Sequence, residues 1–267
     1  MVNVALCGIG RAGVEVIKTV RSNGKFNITA AFCRMGSEKK GKDIGTISQT
    51  GEMGVSAAEI TEAEMVLGCT PVDVAIDFSN PVSSRMLLNA CRMHGIPCVV
   101  CTTGFAEDDI DWMSKLAWTN KMGIVYAPNV TLGINVLMAV LKTVTRAMPY
   151  FDYQITEIHH NKKADKPSGT AKRIAEVIEN ELPGDATNHV PINSVRAGGY
   201  VGVHEVLAVG ESERLSIVHE TFSRSAFAQG ALMAAQFIFH RKGWYYMEDV
   251  IDIGSIIKEE NLSLSRA

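Results

Sequence analysis

Short apolar runs alternate with helical patterns through the first half of the chain. The apolar run 2–7 ends in a glycine-rich stretch at 8–13, and apolar side chains at 14–20 then follow a largely helical spacing. Further strands are predicted at 28–33, 72–78, 98–101 and 123–127, and further helices at 82–94 and 108–120. This alternation predicts an α/β fold with a doubly wound parallel sheet and helices on both of its faces. Residues 36–56 contain five glycines and are predicted to form a loop.

The pattern changes after residue 129. A helix pattern at 133–147 leads into alternating, strand-like stretches instead of further strand and helix pairs. The remaining predicted elements are strands at 153–158, 194–197, 205–209 and 214–220, and helices at 169–181 and 226–239. The alternating apolar residues of 247–257 predict a return onto the first domain. The expected domains are therefore 1–129, with 241–267 packing back onto it, and a second, α+β domain at 130–240.

Composition and charge indicate what the protein binds. The chain has 267 residues, of which 46% are hydrophobic and 21% charged, and its net charge is -3. No broad basic surface is expected, which disfavours nucleic acid and anionic membranes as partners and favours a small molecule. The N-terminal residues lead directly into a strand pattern, and no apolar run reaches membrane-spanning length. We therefore predict a cytoplasmic protein.

The six cysteines all lie in the N-terminal half, mostly within apolar runs. This distribution predicts buried free thiols in a reducing compartment. Cys98 and Cys101 form a C-x-x-C pair, which raises the alternative of a metal or redox site. Residues three apart on a strand point to opposite faces, so the pair is predicted to be two core cysteines, and no metal site is expected.

A glycine motif follows the first predicted strand. Gly8, Gly10 and Gly13 have the G-x-G-x-x-G spacing and open a predicted helix, which is the arrangement of a Rossmann dinucleotide site. In that arrangement the first glycine makes the turn, the second admits the pyrophosphate and the third permits close packing of helix and strand. Unpaired N–H groups at the helix start attract the phosphates. The predicted cofactor residues here are Gly8, Ile9, Gly10, Arg11, Ala12 and Gly13; the alternative is a glycine-rich turn without a ligand.

The end of the second strand bears on the choice of cofactor. An acidic residue there normally binds the adenosine ribose, but this chain has Cys33 and Arg34, with Ser37, Lys39 and Lys40 close behind. A guanidinium beside a hydroxyl suits a 2′-phosphate, so Arg34 is predicted to bind the cofactor and NADPH to be used at least as well as NADH. The alternative is a solvated basic loop.

The densest group of reactive side chains lies at 157–171. Hydroxyls of Ser168 and Thr170, and backbone N–H groups from Gly169 onward, stand at a helix start that can hold a carboxylate. Lys163 adds a positive charge to the same stretch. His159 and His160 are adjacent on an extended segment and point in opposite directions, so one is predicted to donate a proton while the other binds substrate or the surrounding structure.

Two other interpretations of the same stretch are weaker. A solvated basic loop with an ordinary helix cap explains each feature singly but not all of them together. Zinc binding by the two histidines is disfavoured because adjacent ligands lack the usual spacing and no cysteine lies nearby.

The stretch from Glu157 to Ala171, E-x-H-H-x-x-K-x-D-x-P-S-G-T-A, resembles the signature of the 4-hydroxy-tetrahydrodipicolinate reductases, also called dihydrodipicolinate reductases. The resemblance extends along nearly the whole chain. Further blocks similar to the family lie at 8–13, 77–79, 102–105, 127–129, 133–135, 195–198 and 223–231. It implies NAD(P)H-dependent reduction of a cyclic dicarboxylic imine in the diaminopimelate route of lysine biosynthesis. It also implies a homotetramer whose second domain carries a mixed sheet for substrate binding and oligomerisation.

The resemblance also implies roles for individual residues. His159 would be the proton donor and Lys163 the second catalytic residue. The residues implied to contact substrate are His160, Lys163, Ser168, Gly169 and Thr170. The residues implied to line the nicotinamide half of the cofactor pocket are Thr102, Thr103, Ala127, Pro128 and Asn129, with Cys101 and Val130 beside them, and Arg34 would lie by the adenosine ribose.

The chain departs from the family pattern at two places. Its glycine loop is one residue shorter than the family's G-x-x-G-R-M-G, and Cys101 replaces a glycine before Thr102, which makes Cys101 a candidate reactive thiol near the cofactor. Two rival functions remain open at this point. One is a related two-domain dehydrogenase of amino or imino acids, and the other is a non-catalytic NADPH-binding sensor.

Overall fold

The computed structural model describes residues 1–184 and 189–252. The chain divides into two compact units. Of the described residues, 1–131 and 225–252 make the first unit, and those within Leu132–Arg224 make the second. The described strands are β1 (Val2–Cys7), β2 (Phe26–Cys33), β3 (Ala57–Glu59), β4 (Val74–Asp77), β5 (Cys98–Val100), β6 (Gly123–Tyr126), β7 (Asp152–His159), β8 (Ile192–Arg196), β9 (Gly202–Val209), β10 (Arg214–Thr221) and β11 (Gly243–Tyr246). The described α-helices are α1 (Arg11–Asn23), α2 (Ile44–Ser48), α3 (Ala63–Cys69), α4 (Pro81–His94), α5 (Glu107–Thr119), α6 (Leu132–Ala147), α7 (Gly169–Glu179), α8 (Ser225–Ile238) and α9 (Met247–Ile251).

The first unit contains a seven-stranded sheet in the order β11-β6-β5-β4-β1-β2-β3. All of its strand pairs are parallel. One apolar cluster, which includes Val16 and Ile17 of α1, covers one face of the sheet. A second cluster, which includes Leu87 of α4 and Met113 of α5, lies apart from the first. The predicted doubly wound sheet is therefore confirmed. The chain leaves β1 toward β2 on one side and returns to β4 on the other, so a crevice lies at the carboxyl ends of β1 and β4.

The segment predicted as a loop at 36–56 contains structure of its own, and the prediction is wrong for part of it. Helix α2 forms there because the carboxylate of Asp43 accepts hydrogen bonds from the backbone N–H groups of Gly45 and Thr46. The same carboxylate accepts from the N–H groups of Met53 and Val55. The carboxylate of Asp43 alone therefore accepts hydrogen bonds from several parts of a stretch that has few apolar residues. Strand β3 and helix α3 follow and were not predicted.

Helix α8 belongs to the first unit, although the expected second domain extended to residue 240. Its small residues pack in the same cluster as β1, and a Cβ added to Gly230 would come within 1.9 Å of the carbonyl oxygen of Val130. Strand β11 then joins the sheet beside β6, so the described part of the tail returns to the first unit as predicted. Residues 253–257 of that predicted segment lie outside the described residues.

The second unit has a four-stranded sheet in the order β10-β9-β7-β8. Strands β7 and β8 are parallel, whereas β9 is antiparallel to both β7 and β10, so the sheet is mixed as predicted. Helices α6 and α7 supply Leu141 and Ile174 to an apolar cluster that also contains Ile155 and Val206 from the strands. One face of the sheet is therefore buried, and the side chains that point to it are fixed by packing.

Candidate active site

Two polar residues lie on the buried face of β7. Side chains alternate along this strand, and Tyr153, Ile155, Glu157 and His159 point to the buried face. Glu157 is 0% exposed and His159 is 8% exposed. Packing alone would place apolar residues at these two positions. A buried carboxylate and a buried imidazole therefore need hydrogen-bond partners.

Glu157 has three partners. Its Oε1 accepts a hydrogen bond from Nη2 of Arg196 at 2.7 Å and one from the backbone N–H of Ser168 at 3.3 Å. Its Oε2 contacts Nδ1 of His159 in a hydrogen bond. Burial by itself raises the pKa of Glu157, but the bonds from Arg196 and His159 outweigh it and lower the pKa to about 2. Glu157 is therefore ionised at neutral pH.

The ionised Glu157 fixes the tautomer of His159. A carboxylate only accepts hydrogen bonds, so Nδ1 of His159 carries the hydrogen and Nε2 is left for chemistry. Nε2 points toward Gly202, where an added Cβ would lie only 3.1 Å away. Burial lowers the pKa of His159 and outweighs the opposing effect of Glu157, while the charges of Lys163 and Arg196 lower it further. A proton on Nε2 is thus readily given up.

A second buried histidine lies beside His159, and the sequence analysis did not identify it. His204 is opposite Glu157 on β9, is 4% exposed, and its ring meets that of His159 edge to face with centroids 5.2 Å apart. His219 of β10 stacks on its other side at 6.2 Å. Burial, with the two neighbouring imidazoles, lowers the pKa of His204 to about 3. His204 is therefore neutral, and it adds no charge beside His159.

The turn after β7 brings the other predicted residues to the same end of the sheet. The backbone N–H of His160 donates to the carbonyl of Tyr200 at 2.8 Å, and its side chain is half-buried while that of His159 is buried. Nζ of Lys163 lies 3.0 Å from Oδ1 of Asp165. Arg196 donates to the carbonyl oxygen of Asp165 at 2.6 Å, so one guanidinium holds both Glu157 and the lysine turn.

Helix α7 begins beside this turn. Ser168 is its N-cap: the hydroxyl oxygen accepts a hydrogen bond from the N–H of Ala171 at 3.1 Å, and the residue is 1% exposed. The hydroxyl of Ser168 therefore has a structural role at the start of α7. Gly169 is exposed, with open space where a Cβ would stand, and Thr170 is half-buried. An anion can approach the helix start over Gly169.

The glycine turn of the first unit has the geometry of a dinucleotide cradle. Gly8 has a φ of +91°, and a Cβ there would come within 2.3 Å of the carbonyl oxygen of Phe78. A Cβ on Gly13 would come within 2.0 Å of the carbonyl oxygen of Gly8, whereas one on Gly10 would meet nothing within 4 Å. No side chain caps α1 at Gly10. The helix start is open at the position where a pyrophosphate binds, so these residues fit a dinucleotide.

A buried carboxylate ties together the loops that follow β4 and β5. Asp77 is 1% exposed and accepts hydrogen bonds from the hydroxyls of Ser84, Ser79 and Thr102, the last at 2.9 Å. The hydroxyl of Thr102 also accepts a hydrogen bond from the N–H of Ser79 at 2.9 Å, so it both donates and accepts a hydrogen bond within the protein. Thr103 is exposed. Thr103 is therefore the member of this predicted pair whose hydroxyl is open to a ligand.

The other predicted cofactor residues differ in exposure. Ala127 and Val130 are buried, Pro128 is exposed and Asn129 is half-buried. Cys101 is 7% exposed, and burial, followed by the charge of Asp77, raises the pKa of its thiol well above the usual value. The suggestion of a reactive thiol at Cys101 is therefore wrong, because the thiolate is the reactive form.

The cysteine prediction holds for most of the six residues. All six are free thiols, and five of them are buried, including Cys98 and Cys101 of the C-x-x-C pair. Cys69 at the end of α3 is exposed, contrary to the expectation for its apolar run.

The end of β2 also differs from expectation. Arg34 is exposed there, as a ligand-binding residue requires. No carboxylate stands at the end of β2 itself, although Glu38 follows in the loop. Glu59 of β3 comes close: its Oε1 accepts a hydrogen bond from the N–H of Gly36 at 3.0 Å. Lys40 lies 3.5 Å from Glu59 and 3.2 Å from Glu62, and offsets this charge.

Residues 1–184 and 189–252 contain neither a metal-binding cluster nor a membrane-spanning helix. No group of three or more histidine, cysteine or acidic side chains in these ranges is arranged to hold a metal ion. None of the helices in these ranges is both long and apolar enough to span a membrane.

The glycine cradle on the parallel sheet is the arrangement of an enzyme that binds a dinucleotide, and the second unit adds a buried histidine and an open helix start. Residues 2–130 match the family described as "Dihydrodipicolinate reductase, N-terminus", and residues 133–251 match "Dihydrodipicolinate reductase, C-terminus". The chain therefore belongs to the dihydrodipicolinate reductase family.

Individual relatives agree with this assignment. A 4-hydroxy-tetrahydrodipicolinate reductase of Geobacter sulfurreducens is 36% identical over 95% of this chain and 100% of its own length. One of Methanococcus maripaludis is 31% identical with the same coverage. Among solved structures, a dipicolinate-bound dihydrodipicolinate reductase from Paenisporosarcina sp. TG-14 is similar with a TM-score of 0.76 and 25% identity, over 92% of this chain and 97% of that one.

The structure adds residues that the sequence analysis did not assign to the site, chiefly Glu157, Arg196 and His204. Glu157 was recognisable in principle, because it is a charged residue at an inward position of an alternating strand. Arg196 and His204 become neighbours of β7 only through the strand register, which the sequence pattern does not specify.

Proposed function

We propose that the protein reduces 4-hydroxy-tetrahydrodipicolinate to tetrahydrodipicolinate with NAD(P)H, in the diaminopimelate route of lysine biosynthesis. The observation that carries the proposal is the ionised Glu157, which accepts hydrogen bonds both from Nδ1 of His159 and from the backbone N–H of Ser168, the N-cap of α7, and so ties the imidazole to the helix start. The family relationship extends over both units of the chain and supports the same reaction. It disfavours the rival dehydrogenase of other amino acids.

The anion-binding features suit a substrate with two carboxylates. The open helix start at Gly169 and Thr170 attracts one carboxylate through its N–H groups and its dipole. Lys163 is held 3.0 Å from Asp165 and supplies a positive charge that an anionic substrate can share. Ser168 stabilises the helix start, and His160 completes the proposed substrate contacts. The related structure from Paenisporosarcina is described as dipicolinate-bound, and dipicolinate is a cyclic dicarboxylate.

His159 is the proposed proton donor, with Lys163 as the second catalytic residue. Loss of the 4-hydroxyl group of the substrate as water would give the conjugated imine, to which the reduced cofactor, when bound, would supply a hydride. The negative charge left on the ring is then neutralised by a proton from Nε2 of His159. Glu157 stabilises the charged imidazole before transfer and keeps the ring oriented, while burial makes that charged form a stronger acid.

The proposed cofactor contacts lie in the first unit. The turn from Gly8 to Gly13 would hold the pyrophosphate, and the nicotinamide half would lie against Thr103, Pro128 and Asn129, with Cys101, Thr102, Ala127 and Val130 behind them. NADPH is proposed to serve at least as well as NADH, because Arg34 is exposed beside the ribose position and Lys40 offsets the charge of Glu59.

The working form is proposed to be a homotetramer in the cytoplasm. The face of the second sheet that points away from α6 and α7 carries apolar side chains, among them Ile158, Val203 and Leu207, which are half-buried in the single chain, and Val218, which is 57% exposed. Glu205, Arg214 and Glu220 share this face, which is therefore mixed, with apolar side chains between charged ones, as in a surface that pairs with other subunits.

The test is oxidation of NADPH in the presence of the freshly formed aldol product of pyruvate and aspartate semialdehyde. Rapid oxidation is expected of the wild-type protein. His159→Gln should lower kcat about 10²-fold to 10⁴-fold, the scale of losing a general acid, with cofactor affinity nearly unchanged. Wild-type turnover by the variant would remove His159 from the mechanism. Absence of turnover in the wild-type protein, with cofactor still bound, would favour the non-catalytic sensor.

A further inference from the structure

Lys39 reaches from the loop after β2 to the glycine turn. Its Nζ donates a hydrogen bond to the carbonyl oxygen of Ile9 at 2.5 Å, although 30 residues separate the two in sequence. Its backbone N–H donates to the hydroxyl of Ser37 at 3.3 Å. Lys39 is half-buried, unlike Arg34 and Lys40, which are exposed. The ammonium group of Lys39 thus lies between the end of β2 and the start of α1.

The loop that carries Lys39 is fixed to the sheet. The N–H of Gly41 donates to the carbonyl of Ala57 at 2.8 Å, and the N–H of Ala57 donates to the carbonyl of Lys42 at 2.9 Å. On the other side of Lys39, the N–H of Gly36 is held by the carboxylate of Glu59. Because the backbone is anchored on both sides, the direction of the Lys39 side chain is set by the fold.

The charge of Lys39 is not balanced by the protein. Its neighbour Lys40 forms ion pairs with Glu59 and Glu62. No carboxylate of the described chain lies within 4.0 Å of Nζ of Lys39, nor within that distance of the guanidinium groups of Arg11 and Arg34. The carbonyl of Ile9 occupies one of the three N–H groups of the ammonium, which leaves two for a ligand. A half-buried cation with spare donors favours an anionic ligand.

We propose that Lys39 is a specificity-determining residue that binds the 2′-phosphate of the adenosine ribose. This inference rests on the proposed use of NADPH and identifies a residue that selects it. In a dinucleotide fold the ribose lies between the end of the second strand and the glycine turn, and Lys39 spans that interval. The compact ammonium acts as a point charge on the phosphate. Lys40 has the same charge, but its two carboxylate partners keep it from this role.

The test compares Lys39→Met with Lys42→Met in the full chain, because Lys42 is an exposed lysine of the same loop and takes no part in the ion pairs with Glu59 and Glu62. Calorimetry measures binding of adenosine 2′,5′-bisphosphate and of ADP, two probes that differ in their phosphates and need no turnover. Loss of one charge-assisted hydrogen bond should weaken bisphosphate binding by Lys39→Met about 10-fold to 100-fold, and ADP binding by less than about 3-fold. Lys42→Met should bind both probes like the wild-type protein. Lys39→Arg should retain most of the bisphosphate affinity, and the ratio of kcat/KM for NADPH to that for NADH should fall in Lys39→Met.

The outcomes separate this inference from the proposed reaction. Equal weakening of both probes by Lys39→Met would assign the lysine to the pyrophosphate and overturn the proposal. Unchanged binding of both probes by a folded Lys39→Met protein would overturn it as well. If the wild-type protein binds the bisphosphate more tightly than ADP through Lys39 but does not reduce the imine, the specificity proposal stands and the proposed reaction fails.

Discussion

Glu157 is the residue on which the protonation of the site depends. It is fully buried between Arg196 and His159, and its charge raises the pKa of His159 against the effect of burial. Glu157→Gln removes that charge and is expected to lower the pKa of His159 further. Titration of the His159 ring by NMR measures this directly. An unchanged or raised pKa in the variant would contradict the assignment of Glu157 as the partner of Nδ1.

The same substitution has a consequence for stability. The pKa of Glu157 is lower in the folded protein, at about 2, than in an unfolded chain. Its contribution to stability is therefore complete above the unfolded pKa of about 4.3 and is lost as the pH falls toward 2, by an amount on the order of 3 kcal/mol. Glu157→Gln also leaves Arg196 without its partner, so a loss of about 3 to 5 kcal/mol at neutral pH is expected.

Denaturant unfolding between pH 2 and pH 7 tests this expectation. The variant should show a shallower dependence of unfolding free energy on pH than the wild-type protein. Glu176→Gln is the control, because Glu176 lies on α7 with its side chain 54% exposed and pairs with Arg173 at the surface. It should change the free energy of unfolding by no more than about 0.5 kcal/mol.

At the scale of elements, sequence patterns predicted most strands and helices that bury a regular face. The 3.6-residue period of α4 and the two-residue period of β7 come directly from burial on one side, which a hydrophobicity pattern records. The elements α2 and β3 were not predicted because they are only five and three residues long, too short for a periodic pattern, and α2 is stabilised by hydrogen bonds to Asp43. The helix α8 was recognised but assigned to the wrong unit, since a pattern of small residues does not specify its packing partner.

The site residues also divide into those that a local sequence pattern predicts and those that it does not. His159, Lys163 and Gly169 belong to one continuous stretch, so their types and spacing were enough to predict an acid beside an anion site. Arg196 meets Glu157 only because β8 pairs with β7 in one register. Lys39 meets Ile9 only because two loops at the end of the sheet approach each other. Contacts between distant segments depend on register and loop geometry, which local patterns do not contain.

The outward face of the second sheet allows a prediction at the same scale. Val218 of β10 lies opposite Glu205 and is 57% exposed in the single chain. If subunits meet on this face, Val218→Asp places charges in an apolar interface and should convert the proposed tetramer to smaller species. Sedimentation velocity measures the change. Val82→Asp on α4, where the valine is 65% exposed, is the control and should leave the assembly unaltered. A tetramer that survives Val218→Asp would exclude this face.

At the scale of the molecule, the first unit is built from two separated parts of the chain. Helix α8 contributes Leu232 and Ile238, which are buried with residues of β1, and its Gly230 fits against Val130. Each of these large side chains stabilises the fold by about 1.5 to 3 kcal/mol when buried. Without α8, one face of the parallel sheet would expose its apolar side chains to water, so the first 131 residues do not contain a complete core.

The consequence is testable with two fragments. Residues 1–131 alone are expected to lack a cooperative unfolding transition. Residues 1–131 joined to 225–267 should regain it and bind ADP, because the two parts then share one core. Gly230 lies against Val130, and Ser225 begins α8 about 7.5 Å from Gly230 at 1.5 Å per residue, so a flexible linker of about six residues spans the join. Thermal unfolding followed by circular dichroism distinguishes the fragments, and a cooperative transition in residues 1–131 alone would show that α8 is dispensable for the core.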